Sequence, residues 1–197
     1  MIRGLTAAAV LLLCGCSGTS APSAASTTSS SPPTSSEPGV TSPTVPVLAS
    51  LACSDPIDGG PPPADWQTVL GVVALPASPP SRALQAFDSG DPTVPALFAK
   101  TGLLVRAGQA FELEVPTERD NPVAIGWGNA LRFRPSARFA VPACPDTLGT
   151  GWLAYPGGYW VDVRQCLPLT VRAAGREQQM HIGIGTPCPG QEPPAAP

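Results

Sequence analysis

Lysine and histidine are almost missing from this chain: among 197 residues they occur only as Lys100 and His181. A single imidazole cannot build a multi-histidine metal cluster, and a Ser-His-Asp relay would have to use His181. No Gly-x-Ser-x-Gly elbow accompanies it, and strand alternation points His181 outward, toward water. Cys-x-x-Cys spacings and glycine-rich phosphate loops are also missing from the sequence, so no metal and no cofactor is expected. The ten arginines are scattered rather than clustered, which argues against a nucleic-acid partner. Carboxylate pairs exist, Glu112 with Glu114 and Glu118 with Asp120, but nothing singles one out as a glycosidase-like dyad. The chain is therefore read as a non-enzyme. It also lacks any apolar run of the roughly 20 residues needed to cross a bilayer.

What the N-terminus does have is a short export signal. Met1-Ile2-Arg3 carries one positive charge, and Leu5 to Leu13 is apolar apart from Thr6. That is the length of a secretory h-region. The run closes in Leu13-Cys14-Gly15-Cys16. Cleavage before Cys16 leaves the small Gly15 where a small residue is wanted, whereas cleavage before Cys14 would leave Leu13. Cys16 is thus expected to be acylated and to become the first residue. One acyl chain holds a protein only marginally and two hold it stably.

The expected organisation is a lipoprotein signal peptide over 1–15 and a lipidated Cys16 with a Ser/Thr/Pro-rich tether over 16–50. A folded domain follows over 51–190, then a loose tail over 191–197. The tether holds one acid (Glu37) and no aromatic residue, too little apolar surface to offset its ordering entropy. Its composition resembles that of O-glycosylated stalks. Loss of Arg3 leaves ten basic residues against fourteen acidic ones, a mildly acidic mature chain.

Within the domain, apolar residues recur with period two. Phe111, Leu113 and Val115 alternate with Glu112 and Glu114. Val123, Ile125 and Trp127 alternate next, then Leu131 with Phe133 and Phe139 with Val141, leaving Arg132, Arg134 and Arg138 on the outer side. Leu167, Leu169 and Val171 oppose Thr170 and Arg172, and Met180, Ile182 and Ile184 oppose Gln179 and His181. Ala174-Gly175 joins these last two strands. The pattern predicts an all-β antiparallel sandwich with solvated Arg and Glu rows outside. Ala107-Gly108 is read as the turn of a hairpin joining Leu103–Arg106 to the Phe111 strand. Val69 to Leu75 is read as one continuous buried strand, Pro168 as the mark of an edge strand, and Ser81 to Phe87 as the only place for a short helix.

Four cysteines remain in the exported domain, Cys53, Cys144, Cys166 and Cys188. An even number in an exported domain implies two disulfides, with three possible pairings. Cys144–Cys166 with Cys53–Cys188 is the expected set, clamping an aromatic hairpin and tying the domain's entrance to its exit.

That hairpin is Trp152-Leu153-Ala154-Tyr155-Pro156-Gly157-Gly158-Tyr159-Trp160-Val161-Asp162, with Pro-Gly-Gly read as a type II turn. Trp152, Tyr155, Tyr159 and Trp160 form an aromatic platform with Asp162 as its polar handle, a surface suited to an envelope glycan or protein. The bland alternative puts a tryptophan in the core and the tyrosines over the sheet edge.

With these residues in view, the chain resembles exported lipoproteins of actinobacteria. The likeness rests on the Leu13–Cys16 box, the tether, Phe98 to Val115 and Trp152 to Cys166. It implies a lipid-anchored location on the outer face of the cytoplasmic membrane and brings no catalytic residues. The hairpins also look like bacterial immunoglobulin-type modules, which is an analogy of fold alone. The expected role is a monomeric, membrane-anchored, non-catalytic binding module. The alternatives are a purely structural envelope lipoprotein and, third, an envelope hydrolase.

Overall fold

A computed structural model describes residues 48–54, 56–118, 121–129 and 135–196. The expected signal peptide, Cys16 and the expected tether as far as Val47 lie outside the described residues, as do Asp120, Leu131, Arg132, Phe133 and Arg134. The described residues form twelve strands and no helix. They are β1 (Ala49–Ser50), β2 (Asp58–Gly59), β3 (Gln67–Val69), β4 (Val73–Leu75), β5 (Phe87–Asp88) and β6 (Leu97–Arg106). The remainder are β7 (Phe111–Glu114), β8 (Val123–Trp127), β9 (Arg138–Val141), β10 (Trp152–Val161), β11 (Gln165–Ala173) and β12 (Arg176–Ile184).

Two sheets pack face to face as the alternation predicts. Sheet A has the order β1-β9-β7-β11-β12. Sheet B is built on the two ten-residue strands β6 and β10, paired along their whole length. β4 and β5 share the other edge of β6, and β2 and β8 share the other edge of β10. Inward residues of both sheets form one core that includes Val105, Leu113, Trp127, Phe139, Tyr155, Tyr159, Leu169 and Ile182. Removing a large apolar side chain from water contributes about 1.5–3 kcal/mol each, which is what holds the two sheets together.

Several local expectations are corrected. Val69 to Leu75 is a tight hairpin, because Leu70 and Gly71 both take positive φ (52° and 75°) and turn the chain between β3 and β4. The apolar composition hid that turn. β6 and β7 are not a hairpin, since they belong to different sheets. The Ala107-Gly108 link crosses between them, with Gly108 N donating to Cys144 O (2.7 Å). Ser81–Phe87 forms no helix; Leu84 N donates to Gly183 O and Gly185 N to Leu84 O, both at 2.8 Å, laying this segment beside β12. Pro168 lies in an interior strand, but β7 pairs with β11 only from Thr170 onward, so one edge of Pro168 has no strand partner. The Ala174-Gly175 turn is as expected, with both residues at positive φ (47° and 72°), the geometry that matches strand twist in two-residue hairpins.

The disulfides also differ from expectation. Cys53 pairs with Cys144 and Cys166 with Cys188. β1 runs parallel to β9, so the two chains leave sheet A side by side and bring Cys53 and Cys144 to a Cα separation of 5.3 Å. Cys166 lies opposite Gly183 on β12, and the chain turning back after Ile184 returns Cys188 to it, Cα to Cα 4.8 Å. Cys144 and Cys166 sit at opposite ends of sheet A: Ala140 and Arg172 share the partner Glu112, and the two cysteines lie beyond them in opposite directions. A single disulfide cannot span that distance.

The C-terminal residues are likewise not loose. Ala83 N donates to Glu192 O (3.0 Å), Gln85 Nε2 to Ala195 O (2.7 Å), and Arg82 pairs with Glu192. Gln191 is buried and its Oε1 accepts from Cys188 N at 3.0 Å. It fits over Gly183, where a Cβ would come within 2.2 Å of that oxygen. At the other terminus β1 joins sheet A at Ala49, two residues before the expected start of the domain.

Candidate functional site

The aromatic segment 152–162 is a straight strand, not a hairpin. Its register with β6 runs without a break from Trp152↔Arg106 to Val161↔Leu97. Continuous alternation therefore sends Leu153, Tyr155, Tyr159 and Val161 into the core, each with no exposed surface. Trp152, Ala154, Pro156, Gly158 and Trp160 point out of sheet B. The bland alternative fails for the tyrosines, which fill the main core; Trp152 is buried in a separate small cluster on the outer side and Trp160 is half-buried.

The Pro-Gly-Gly run is accommodated for identifiable reasons. Pro156 O accepts from Gly128 N (2.8 Å), so the edge of Pro156 that faces β8 is also the edge where its missing N–H would lie. There the partner changes from β2, which ends opposite Leu153 and Ala154, to β8, which starts opposite Gly157. Proline is tolerated where no ladder bond is demanded. Gly157 makes room for Trp127, whose indole Nε1 donates to Thr101 O at 3.2 Å. The Gly126-Trp127-Gly128 run closes β8 with Trp127 fully buried.

Tyr155 and Tyr159 differ in their hydroxyls. Tyr155 Oη donates to Cys53 O at 3.2 Å, tying the core to the first disulfide. Tyr159 Oη is buried without a hydrogen-bond partner, and burial pushes its phenol well above the usual range. Its ring packs edge-on against Trp127 with centroids 5.4 Å apart.

The outward residues form two separate groups on sheet B. At one end Trp152 packs with Ala74, Leu104, Ala154 and Trp66, and the Arg106 guanidinium lies 5.4 Å above its ring. At the other end Trp160 stacks on Phe98, with ring centroids 4.6 Å apart and planes 32° apart. Phe87, 55% exposed, lies opposite Phe98 on β5. Asp162 closes the strand pair by accepting from Ala96 N at 3.0 Å, and it borders a depression of about 390 Å³ with Asp88 and Asp91. Of the five residues proposed from sequence, only Trp160 and Asp162 are brought close together. Phe87, Phe98, Trp66 and Lys100 were missed. The alternation Phe98, Lys100, Gly102, Leu104, Arg106 could have identified the outward face of β6.

The outer face of sheet A is different in kind. Glu112, Arg138, Glu114, Arg172 and Glu177 form a ladder of alternating sign, with Arg138 Nη2 2.6 Å from Glu112 and Arg172 Nε 2.8 Å from Glu177. Hydrogen bonds donated by Arg172 to Glu114 and Glu177 hold its guanidinium charged even more firmly than usual. A shallow groove of about 630 Å³ runs beside this ladder, lined by Phe111, Val141, Arg172 and Arg176 among others. Its cations are already engaged, Arg172 by two glutamates and Arg176 by Leu70 O at 3.3 Å. His181 is exposed and paired with Pro168 on the same outer face.

Disulfides form and persist in oxidising compartments, so the two cross-links mark this as a domain that matures outside the reducing cytosol. Among the described residues no group of three or more His, Cys, Asp or Glu side chains could hold a metal ion. Comparison with protein-family models and with curated proteins finds no match to this chain.

Proposed function

We propose that this chain is a lipid-anchored protein of the cell envelope whose disulfide-stapled sandwich is a non-catalytic binding module. Its binding face is the outer surface of sheet B. The observation that carries this reading is the contrast between the two outer faces. Sheet A is covered by mutually neutralising Arg and Glu side chains, whereas sheet B carries aromatic rings that include the exposed Phe87. A sandwich needs only its inner faces to be apolar, and an aromatic outer patch is a common mark of an interaction surface.

The anchor is Cys16, in the Leu13-Cys14-Gly15-Cys16 box. Metabolic labelling with a lipid precursor tests it: the wild-type chain takes up label and sediments with membranes, and Cys16→Ala abolishes both. Unchanged labelling of Cys16→Ala overturns the anchor. The binding face is tested with Phe87→Ser and Trp160→Ala, which should leave the unfolding midpoint nearly unchanged while weakening retention of the domain by envelope fractions at least several-fold.

A further inference from the structure

A row of side chains crosses sheet B in register. Phe87 of β5 lies opposite Phe98 of β6, Phe98 opposite Trp160 of β10, and Trp160 opposite Ala124 of β8. Residues directly opposite across antiparallel strands share a face, so all four stand on the outer surface. The charges on the two sides of this row are opposite. Two residues beyond Phe98 is the exposed Lys100, paired with the bare Gly158. Two residues beyond Trp160, in the other direction along the strands, is Asp162, which joins Asp88 and Asp91 around one depression.

We infer that this row is the contact of a two-fold dimer in which sheet B of one copy packs face to face on sheet B of a second copy. The inference rests on the reading of this face as the binding surface and names its occupant, in place of the monomer expected from sequence. A two-fold axis along the row reverses the strand direction of the second copy. The Lys100 side of each copy then meets the carboxylate side of the other. An isologous interface must be self-complementary in this way, and opposite charges across it fix its register. The contact is small, centred on the row near one end of β6 and β10, and tethering both copies to one membrane would raise their effective concentration.

The row lies on the axis, so each of its residues faces its own counterpart. Phe87→Cys in the full-length chain, on intact cells, should therefore give a disulfide-linked dimer on a non-reducing gel. Leu148→Cys, comparably exposed but remote from the row, should not. Adding Lys100→Asp to Phe87→Cys should lower cross-linking at least tenfold, and adding Asp162→Lys as well should restore it. Cross-linking of Phe87→Cys no stronger than that of Leu148→Cys overturns the dimer, as does cross-linking indifferent to Lys100→Asp. Failure to cross-link while Cys16 still takes up lipid label removes the dimer alone. Loss of label with cross-linking intact removes the anchor alone.

Discussion

The indole of Trp127 lies across Gly157 and reaches Thr101, the residue paired with Gly157 on its other side. A Cβ at Gly157 would fall 2.1 Å from Gly126 O and 2.7 Å from Trp127 Cδ1. Trp127 Nε1 bonds Thr101 O at 3.2 Å. Three strands of sheet B are thus locked together by one side chain crossing a position that has none. Gly157→Ala should destabilise the domain by about 3 kcal/mol or more, since neither backbone nor a fully buried indole can yield cheaply. Equilibrium urea unfolding measures this, and a loss below about 1 kcal/mol would contradict the packing. Trp127→Phe should cost roughly 2–4 kcal/mol, combining a cavity with a carbonyl left unbonded.

The two buried tyrosines provide a paired comparison. Tyr155→Phe removes the bond to Cys53 O and should cost about 1 kcal/mol. Tyr159→Phe removes a hydroxyl with no partner and should be neutral or slightly stabilising. Thermal unfolding of the two variants side by side checks the order, and a larger loss for Tyr159→Phe would refute it.

Disulfide mapping should recover Cys53 with Cys144 and Cys166 with Cys188 from a non-reduced digest. The sequence separations are 91 and 22 residues. Chain-entropy arguments give about 3–5 kcal/mol for loops of this size, with the longer loop contributing more. Replacing Cys53 and Cys144 together by Ala should therefore lower stability more than replacing Cys166 and Cys188. The shorter bridge has a distinct local effect. Its removal should expose the 185–196 segment to protease while the core remains protected, because apart from the bridge that segment is held by a few bonds to residues 82–85.

Asp146 controls the loop before β10. Its carboxylate accepts from Gly151 N at 2.9 Å and Thr150 N at 3.2 Å, and the Gly151 bond is the main cause of a pKa below the ordinary 3.8. A depressed carboxylate contributes stability above its unfolded pKa and loses it as pH falls through the folded value. Amide exchange at Thr150 and Gly151 should therefore rise as pH drops below 3.8, relative to intrinsic rates. Asp146→Asn should remove most of that pH dependence. A flat profile in the native chain would contradict the capping role.

Much of the fold is legible in the sequence because a strand's side chains alternate whatever the strand pairs with. Spacing alone assigns Phe111, Leu113, Val123, Ile125, Leu169 and Ile182 inward, and all are buried. It assigns the Glu112, Arg138 and Arg172 row outward, and that row forms the exposed ladder. The candidate site is only half legible. Trp160 and Asp162 are identified, but reading Pro156-Gly157-Gly158 as a turn obscures that Tyr155 and Tyr159 stay on one inner face. Phe87 escapes notice because its significance comes from Phe98 and Trp160, which lie beside it only through strand pairing.

The sequence by itself determined the class of fold, the identity of most core residues and the presence of two cross-links, since each follows from local period, composition or cysteine count. Only the tertiary structure decided which cysteines meet, which strands share a sheet, and whether Pro-Gly-Gly bends the chain or lets it run straight. Those outcomes depend on groups far apart in sequence: the parallel approach of β1 to β9, and an indole from residue 127 filling the space that Gly157 leaves open. A glycine reads the same whether it makes a turn or makes room, and only the neighbour that packs against it distinguishes the two.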